Sequence, residues 1–133
     1  MPERLVLIDT SVWITYFRPG CPPSLLQRVR KCLSEERVVG LPPIWLELLT
    51  GANQESTYGM LRDFLKGVPL LALDETLWDV AYHLGFTLRR KAVTVPSMDL
   101  TIAAAAIRHG ISLWHQDRHF DLIARHSPLK IFR

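Results

Sequence analysis

Short apolar runs alternate along this 133-residue chain with longer segments of helical periodicity. The runs lie at Leu5–Ile8, Val38–Leu41, Leu70–Ala72 and Ile111–Trp114, with an optional last one at Leu129–Phe132. A strand without polar alternation is buried on both faces, which is typical of parallel sheets covered by helices. Strands separated by helical crossovers pair in parallel. The sequence therefore predicts a single α/β domain over residues 1–133, with three α/β/α layers and a central parallel sheet of four to five strands.

Composition and cysteine content indicate the environment of the protein. Apolar residues make up 48% of the chain, and a domain of this length buries about two-thirds of its unfolded surface. Cys21 and Cys32 have no second cysteine pair or nearby histidine that would complete a zinc site. No signal-like amino terminus is visible, and no apolar stretch approaches the roughly 20 residues of a membrane span. We therefore expect a reduced, cytoplasmic protein that does not enter a membrane.

The net charge of the whole chain is +3, and the positive charge is concentrated in its last third. Residues 1–86 carry 8 basic and 10 acidic residues, whereas residues 87–133 carry 8 basic and 3 acidic residues. The cluster Arg89-Arg90-Lys91 ends a predicted long helix, where cations also complement the helix dipole. This asymmetry suits a polyanionic partner, although a solvated basic surface accounts for an excess of this size as well.

Four acidic residues fall at one predicted edge of the sheet. Asp9 and Asp117 follow predicted strands, and Glu47 and Asp99 lie on helices that leave the same edge. Each also has a structural explanation, since aspartates suit helix N-termini and Glu47 can point to solvent. In open α/β sheets, however, ligands bind where the carboxyl ends of the strands meet. Converging carboxylates repel unless a cation compensates them, and oxygen-only ligation favours Mg²⁺ or Mn²⁺.

Taken together, these motifs resemble a PIN domain, most closely the VapC toxins of VapBC toxin–antitoxin pairs. The resemblance covers essentially the whole chain and is carried by Leu7–Val12, Glu47–Gly51, Pro96–Ala104 and Asp117–Phe120. It implies a PIN-like nuclease domain and a Mg²⁺-dependent endoribonuclease, with Mn²⁺ as a substitute. Such an enzyme hydrolyses RNA phosphodiester bonds with metal-activated water, and we expect 3′-hydroxyl and 5′-phosphate products.

The resemblance also assigns roles to individual residues. The catalytic and metal-binding quartet of the family matches Asp9, Glu47, Asp99 and Asp117, and its hydroxyl residue near the first acid matches Thr10 or Ser11. One position departs from the family, which commonly has threonine two residues before the last acid.

His115 occupies that divergent position. A histidine there can alter the geometry around a second metal ion or donate a proton to the leaving group, whereas many histidines near strand ends have no such role. Asp121, four residues beyond Asp117, is a reserve candidate for the site, with a capping or solvated role as the alternative.

RNA and an antitoxin are the partners that the resemblance implies, together with a homodimer. The candidate phosphate contacts, which would supply salt-dependent affinity, are Arg89, Arg90, Lys91, Arg118 and His119. Four aromatic residues on two short helices form either core or a groove for an antitoxin segment. These residues are Trp13, Tyr16, Phe17 and Trp45.

Two other functions are compatible with parts of the pattern. A phosphoacceptor receiver domain shares the α/β order, but it requires paired acids after the first strand, where this chain has only Asp9. It also requires an aspartate directly after the third strand, whereas Ala72 and Leu73 precede Asp74 here. A catalytically inactive PIN-fold RNA-binding or scaffold module is the stronger alternative, although the presence of all four acids favours a nuclease.

Overall fold

The computed structural model of the chain describes residues 4–133 and confirms the predicted alternation of strands and helices. Within this range there are seven helices and three strands. In chain order they are β1 (Val6–Ile8), α1 (Thr10–Phe17), α2 (Pro23–Ser34), β2 (Val38–Val39), α3 (Pro42–Thr50), α4 (Glu55–Leu65), α5 (Glu75–Arg90), α6 (Ser97–His109), β3 (Ser112–Trp114) and α7 (Arg118–Arg125). None of the helices in residues 4–133 has the length and apolar character needed to cross a bilayer.

β1 is the central strand of the sheet, whose order is β2-β1-β3 and whose strands are all parallel. Val6 pairs with both Val38 and Ser112, and Ile8 pairs with Trp114. This central position explains why every residue of β1 is at most 1% exposed. It also places Asp9, the next residue, in the middle of the carboxyl edge.

The sheet has fewer full strands than the predicted four to five. Leu70 forms only an isolated parallel bridge with Gly40, and Ile131 forms another with Leu113. Pro69, next to Leu70, has no N–H and therefore cannot donate a hydrogen bond to a neighbouring strand. Its carbonyl oxygen accepts one from the Gly40 N–H over 2.8 Å. The predicted third strand and the optional last strand are therefore single-residue bridges at the two edges of the sheet.

Two helix N-termini lie beside acids of the predicted site. Asp9, rather than Thr10 or Ser11, is the N-cap of α1, because its side chain accepts a hydrogen bond from the Ser11 N–H. Ser97 is the first residue of α6, and the preceding Pro96 takes the N-cap position. The structural explanation for Asp9 is thus correct, and it does not remove the residue from the edge of the sheet.

α6 carries the most deeply buried helical segment of the described chain. Its residues 102–106 are each at most 1% exposed, and four of them are alanines. Small side chains allow neighbouring helices to approach closely, and α5 packs along α6. This packing fixes the amino-terminal end of α6, whose first turn carries Asp99.

An aromatic cluster joins α1 to α3. Trp13 is fully buried and Trp45 is 7% exposed, with their ring centroids 6.1 Å apart, so these two residues belong to the core. Tyr16 and Phe17 are half-buried, and only they can contribute ring surface to the predicted antitoxin groove. On its other side, Trp45 packs against Gly40, where a Cβ atom would overlap the indole ring.

Candidate active site

The carboxyl edge of the sheet brings Asp9, Asp99 and Asp117 together. Asp9 follows β1 and is 5% exposed, while Asp117 is the N-cap of α7, just beyond β3. Asp99 comes from the first turn of α6. The charges of Asp9 and Asp117 both act on the carboxyl group of Asp99. Three segments that are distant in the sequence thus converge on one place.

The electrostatic effect of this convergence is seen at Asp99. Burial raises the pKa of the Asp99 carboxyl group, and the negative charges of Asp117 and Asp9 raise it further. A hydrogen bond with His119 acts in the opposite direction. The ionised form of Asp99 is therefore disfavoured unless a cation compensates the charges around it.

Glu47 joins this group through Thr10. The Thr10 hydroxyl donates to Glu47 Oε1 over 2.6 Å, and Thr10 itself is buried directly after Asp9. Glu47 is exposed, unlike the other three acids. The hydrogen bond ties the carboxylate of α3 to the start of α1, so all four predicted acids lie at the same edge.

Ser11 connects Asp9 to the loop that carries Asp117. Its N–H and its hydroxyl both donate to Asp9 Oδ2, over 3.0 and 2.6 Å. The same hydroxyl oxygen accepts from the Gln116 N–H over 2.9 Å. A backbone hydrogen bond from the Asp9 N–H to the Trp114 carbonyl, also 2.9 Å, completes the connection. The ends of β1 and β3 are thereby held in a fixed relation.

His119 lies between two of the acids. Its Nδ1 is 2.9 Å from Asp99 Oδ2 and 3.4 Å from Asp117 Oδ1. Without a bound ion, a ring nitrogen that faces two carboxylate oxygens carries its proton and donates it, whereas a metal ion is bound by an unprotonated ring nitrogen. One ligand atom from each of these three residues lies within 4.8 Å of the others, a spacing that fits one metal ion. The sequence predicts that His119 contacts phosphate. The signal for its place in the acid cluster is its position in the first turn of α7, two residues after Asp117.

Each of the four acids has one oxygen held by a donor from the protein. These oxygens are Asp9 Oδ2, Glu47 Oε1, Asp99 Oδ2 and Asp117 Oδ1. Within residues 4–133, the second oxygen of each carboxylate accepts no hydrogen bond, and no lysine or arginine forms a salt bridge with any of them. A set of oriented, uncompensated carboxylate oxygens is the kind of donor set that binds a hard divalent cation.

His115 accepts a hydrogen bond from the backbone of Asp117. The Asp117 N–H donates to His115 Nδ1 over 3.0 Å, so this nitrogen carries no proton and Nε2 donates to Asp121 Oδ1 at 3.3 Å. The His115 side chain is 6% exposed, and its ring lies 5.3 Å from that of Phe120. The structure therefore places His115 and Asp121 beside the acid cluster rather than within it.

The basic residues predicted to contact RNA are found in two places. Arg118 begins α7 next to Asp117, whereas Arg89, Arg90 and Lys91 are exposed at the carboxyl end of α5. Within residues 4–133, no hydrogen bond or salt bridge joins residues 89–91 to the four acids. Contact between this second group and RNA stays a prediction.

Comparison with known proteins shows which family this chain belongs to. The PIN domain family model matches residues 6–126. VapC ribonuclease Mb1587 of Mycobacterium bovis is 39% identical over 130 residues, which is 95% of this chain and 96% of that protein. The chain is a VapC-type member of the PIN domain family. The resemblance of the sequence motifs is thereby confirmed.

Solved structures share the fold of this PIN domain. One is VapBC2 from Rickettsia felis bound to a promoter DNA fragment, with a TM-score of 0.82 and 16% identity, covering 96% of this chain and 97% of that chain. Another is VapBC-1 from nontypeable Haemophilus influenzae, with a TM-score of 0.80 and 22% identity, covering 96% of each chain. At these identities, the similarity shows the PIN fold alone.

Proposed function

We propose that this PIN domain is a Mg²⁺- or Mn²⁺-dependent endoribonuclease, the toxin of a VapBC-type toxin–antitoxin pair. It hydrolyses RNA phosphodiester bonds and leaves 3′-hydroxyl and 5′-phosphate ends. The observation that carries the proposal is the convergence of four acids, each of which keeps one oxygen free of donors from the described part of the chain. The names of the relatives, which are VapC ribonucleases, support it. An inactive scaffold would have no need for such a set of oriented carboxylates.

The acids and their neighbours have distinct tasks in this proposal. Asp9 and Asp99 hold the main ion, and Glu47 and Asp117 contact it directly or through water. A bound Mg²⁺ ion supplies Lewis acidity towards a phosphate oxygen and lowers the pKa of the attacking water. The hydroxyl groups of Ser11 and Thr10 orient two of the carboxylates before the substrate arrives, so little reorganisation is needed during the reaction.

Removal of divalent metal is expected to stop RNA cleavage. The purified chain, incubated with total RNA in EDTA, should leave the RNA intact, and excess Mg²⁺ or Mn²⁺ should restore cleavage. Asp9→Asn protein purified in the same way controls for contaminating nucleases. Asp63→Asn is the matched control, because the Asp63 side chain on α4 is 82% exposed and, within residues 4–133, forms a salt bridge only with Lys66. Cleavage that continues in EDTA would contradict the metal dependence.

Replacing His115 is expected to weaken cleavage without unfolding the protein. His115→Leu removes the acceptor of the Asp117 N–H and leaves a partly buried donor unpaired, which costs about 1–3 kcal/mol. When about half of this penalty acts on the orientation of Asp117, cleavage falls roughly two- to tenfold. His115→Asn restores an acceptor close to Nδ1 and should recover most of the rate. If both variants cleaved RNA at the wild-type rate and bound Mn²⁺ with unchanged affinity, His115 would have no positioning role.

The antitoxin is proposed to cover a groove beside Glu47. This groove, between α1, α3 and α4, has a volume of about 600 Å³. Its apolar wall includes Ile14, Phe17, Leu48 and Leu61, and Ile14 is 46% exposed. An apolar helix or extended segment of a partner fits such a surface. VapBC complexes among the solved structures support this partner, and the homodimer stays a prediction.

A further inference from the structure

A second groove opens next to the acid cluster, between α2, α7 and residues 131–133. Its volume is about 460 Å³, within the range of about 300–1,000 Å³ that is typical of small-ligand clefts. It therefore has room for a group the size of a nucleotide. Asp117 forms part of its wall and also belongs to the acid cluster. The groove therefore adjoins the candidate active site at Asp117.

Three arginines, Arg28, Arg118 and Arg133, line this groove. Within residues 4–133, none of their guanidinium groups forms a salt bridge. The two acids of the groove, Asp117 and Asp121, each contact a histidine instead. The positive charge of the groove is therefore available to an anionic ligand, and guanidinium groups are well suited to phosphate.

Aromatic rings hold one of these arginines in place. The guanidinium carbon of Arg28 lies 4.6 Å from the ring centre of Trp114 and 5.5 Å from that of Phe132. Arg28 is nevertheless exposed, so stacking restricts its position while solvent still reaches the side chain. A group that is already positioned loses less entropy when it binds a phosphate.

The pairing of arginine with an aromatic ring distinguishes RNA from an acidic protein segment. Phe132 lines the groove and is half-buried. Proteins hold single-stranded RNA by contacting phosphates with cations and by stacking bases on aromatic side chains. An acidic peptide would use the guanidinium groups, but it would gain nothing specific from the ring.

We propose that this groove binds the RNA strand next to the cleaved bond, with Arg28 and Arg118 contacting phosphates and Phe132 contacting a base. This inference rests on the proposed function, because it states where the substrate of that reaction is held. It adds Arg28 and Phe132 to the RNA contacts that the charge pattern predicts.

The test measures RNA binding in the absence of cleavage. A fluorescein-labelled, single-stranded 12-nucleotide RNA of mixed sequence is titrated with the full chain in EDTA, and its anisotropy is followed at several KCl concentrations. Arg28→Gln should raise Kd about three- to tenfold and lower the salt slope by about 0.7, the value for one lost phosphate contact on a single strand. Arg30→Gln is the matched control, because Arg30 is exposed on the same helix, about 200° away around its axis.

A second variant separates the base contact from charge. Phe132→Leu keeps an apolar side chain against Trp114, and Arg28 keeps its nearer ring, that of Trp114 at 4.6 Å. The variant removes the ring that would contact a base, so Kd should rise about fivefold with little change in the salt slope. The melting temperature of each variant, compared with the wild type, checks that the fold is retained.

Three outcomes would contradict the proposal that this groove binds RNA. Equal weakening by Arg28→Gln and Arg30→Gln would show that charge acts only at long range. Unchanged binding in both Arg28→Gln and Phe132→Leu would show that RNA passes elsewhere. Equal loss of affinity for a labelled dodecamer of glutamate would assign the groove to acidic protein segments. Binding is measured without metal, so the two proposals can fail separately. A chain that binds RNA through Arg28 but never cleaves it would contradict the proposed nuclease function and still support RNA binding in the groove.

Discussion

Asp99→Asn is expected to lower metal-dependent RNA cleavage by about a hundred- to a thousandfold. Asp99 shares the cluster with Asp9 and Asp117 and is one of the two acids proposed to hold the main ion. Charge stabilisation by such an ion is worth several kcal/mol in the transition state, and each 1.36 kcal/mol corresponds to a tenfold change in rate. Initial cleavage rates at saturating Mn²⁺ measure the loss.

The same substitution is expected to raise the melting temperature in EDTA by a few degrees. Burial and the charges of Asp117 and Asp9 raise the pKa of Asp99 in the folded state, so ionisation is easier in the unfolded chain. The contribution of this carboxyl group to stability is full below its unfolded pKa, about 3.9, and is lost as the pH rises through the raised folded pKa. Asparagine avoids that loss, so the advantage of the variant should grow above about pH 4.

A different aspartate provides the control for this pair of measurements. Asp74 caps α5 by accepting from the Leu77 N–H over 2.9 Å and pairs with Arg108 at 3.1 Å, far along the chain from the acid cluster. Asp74→Asn should therefore lower the melting temperature and leave cleavage unchanged. If Asp99→Asn lost activity and stability together, as a helix-stabilising aspartate would, its assignment as a metal ligand would be wrong.

The largest loss of stability is expected from Gly40→Ala. The added methyl group would overlap the ring of Trp45, which is 7% exposed and enclosed by the aromatic cluster of α1 and α3. Overpacking of this kind costs about 1–3 kcal/mol, which corresponds to a fall in melting temperature of roughly 5–10 °C. Thermal or urea unfolding followed by circular dichroism measures it. Because Trp45 anchors the helix that carries Glu47, some activity should be lost as well.

Gly59→Ala tests the same chemical change where space is free. Gly59 lies inside α4, and no heavy atom would come within 4 Å of an added Cβ. Alanine should stabilise the helix by about 0.5–1 kcal/mol there. In a Trp45→Phe background, the penalty of Gly40→Ala should shrink, since the smaller ring leaves room. A penalty of equal size in both backgrounds would mean that the overlap with Trp45 is not its cause.

The edge on which the four acids lie could be predicted because strand ends are visible in the sequence. Asp9 stands directly after four apolar residues, and Asp117 stands three residues after another run. Parallel pairing then requires these ends to meet. The number of strands was harder to predict, since Leu70 and Ile131 make one bridge each, and an apolar run does not show how many ladder hydrogen bonds it forms.

The contacts within the site could not be predicted in the same way. Which oxygen of Glu47 accepts from Thr10, and that His119 faces Asp99 instead of solvent, depend on how α3, α6 and α7 are rotated against the sheet. Helix rotation is set by the packing of many side chains at once, and no local pattern records it. The same holds for the aromatic residues, of which Trp13 and Trp45 proved to be core.

The sequence by itself determined the α/β alternation, the order of its elements and the set of acids that reach one edge, because hydrophobic periodicity and strand ends are local properties. Only the tertiary structure decided which oxygens stay free, which histidine lies between the acids, and that Arg28 and Phe132 form a groove with Asp117. These relations join residues far apart in the chain, and they exist only once the core has fixed the helices against the sheet.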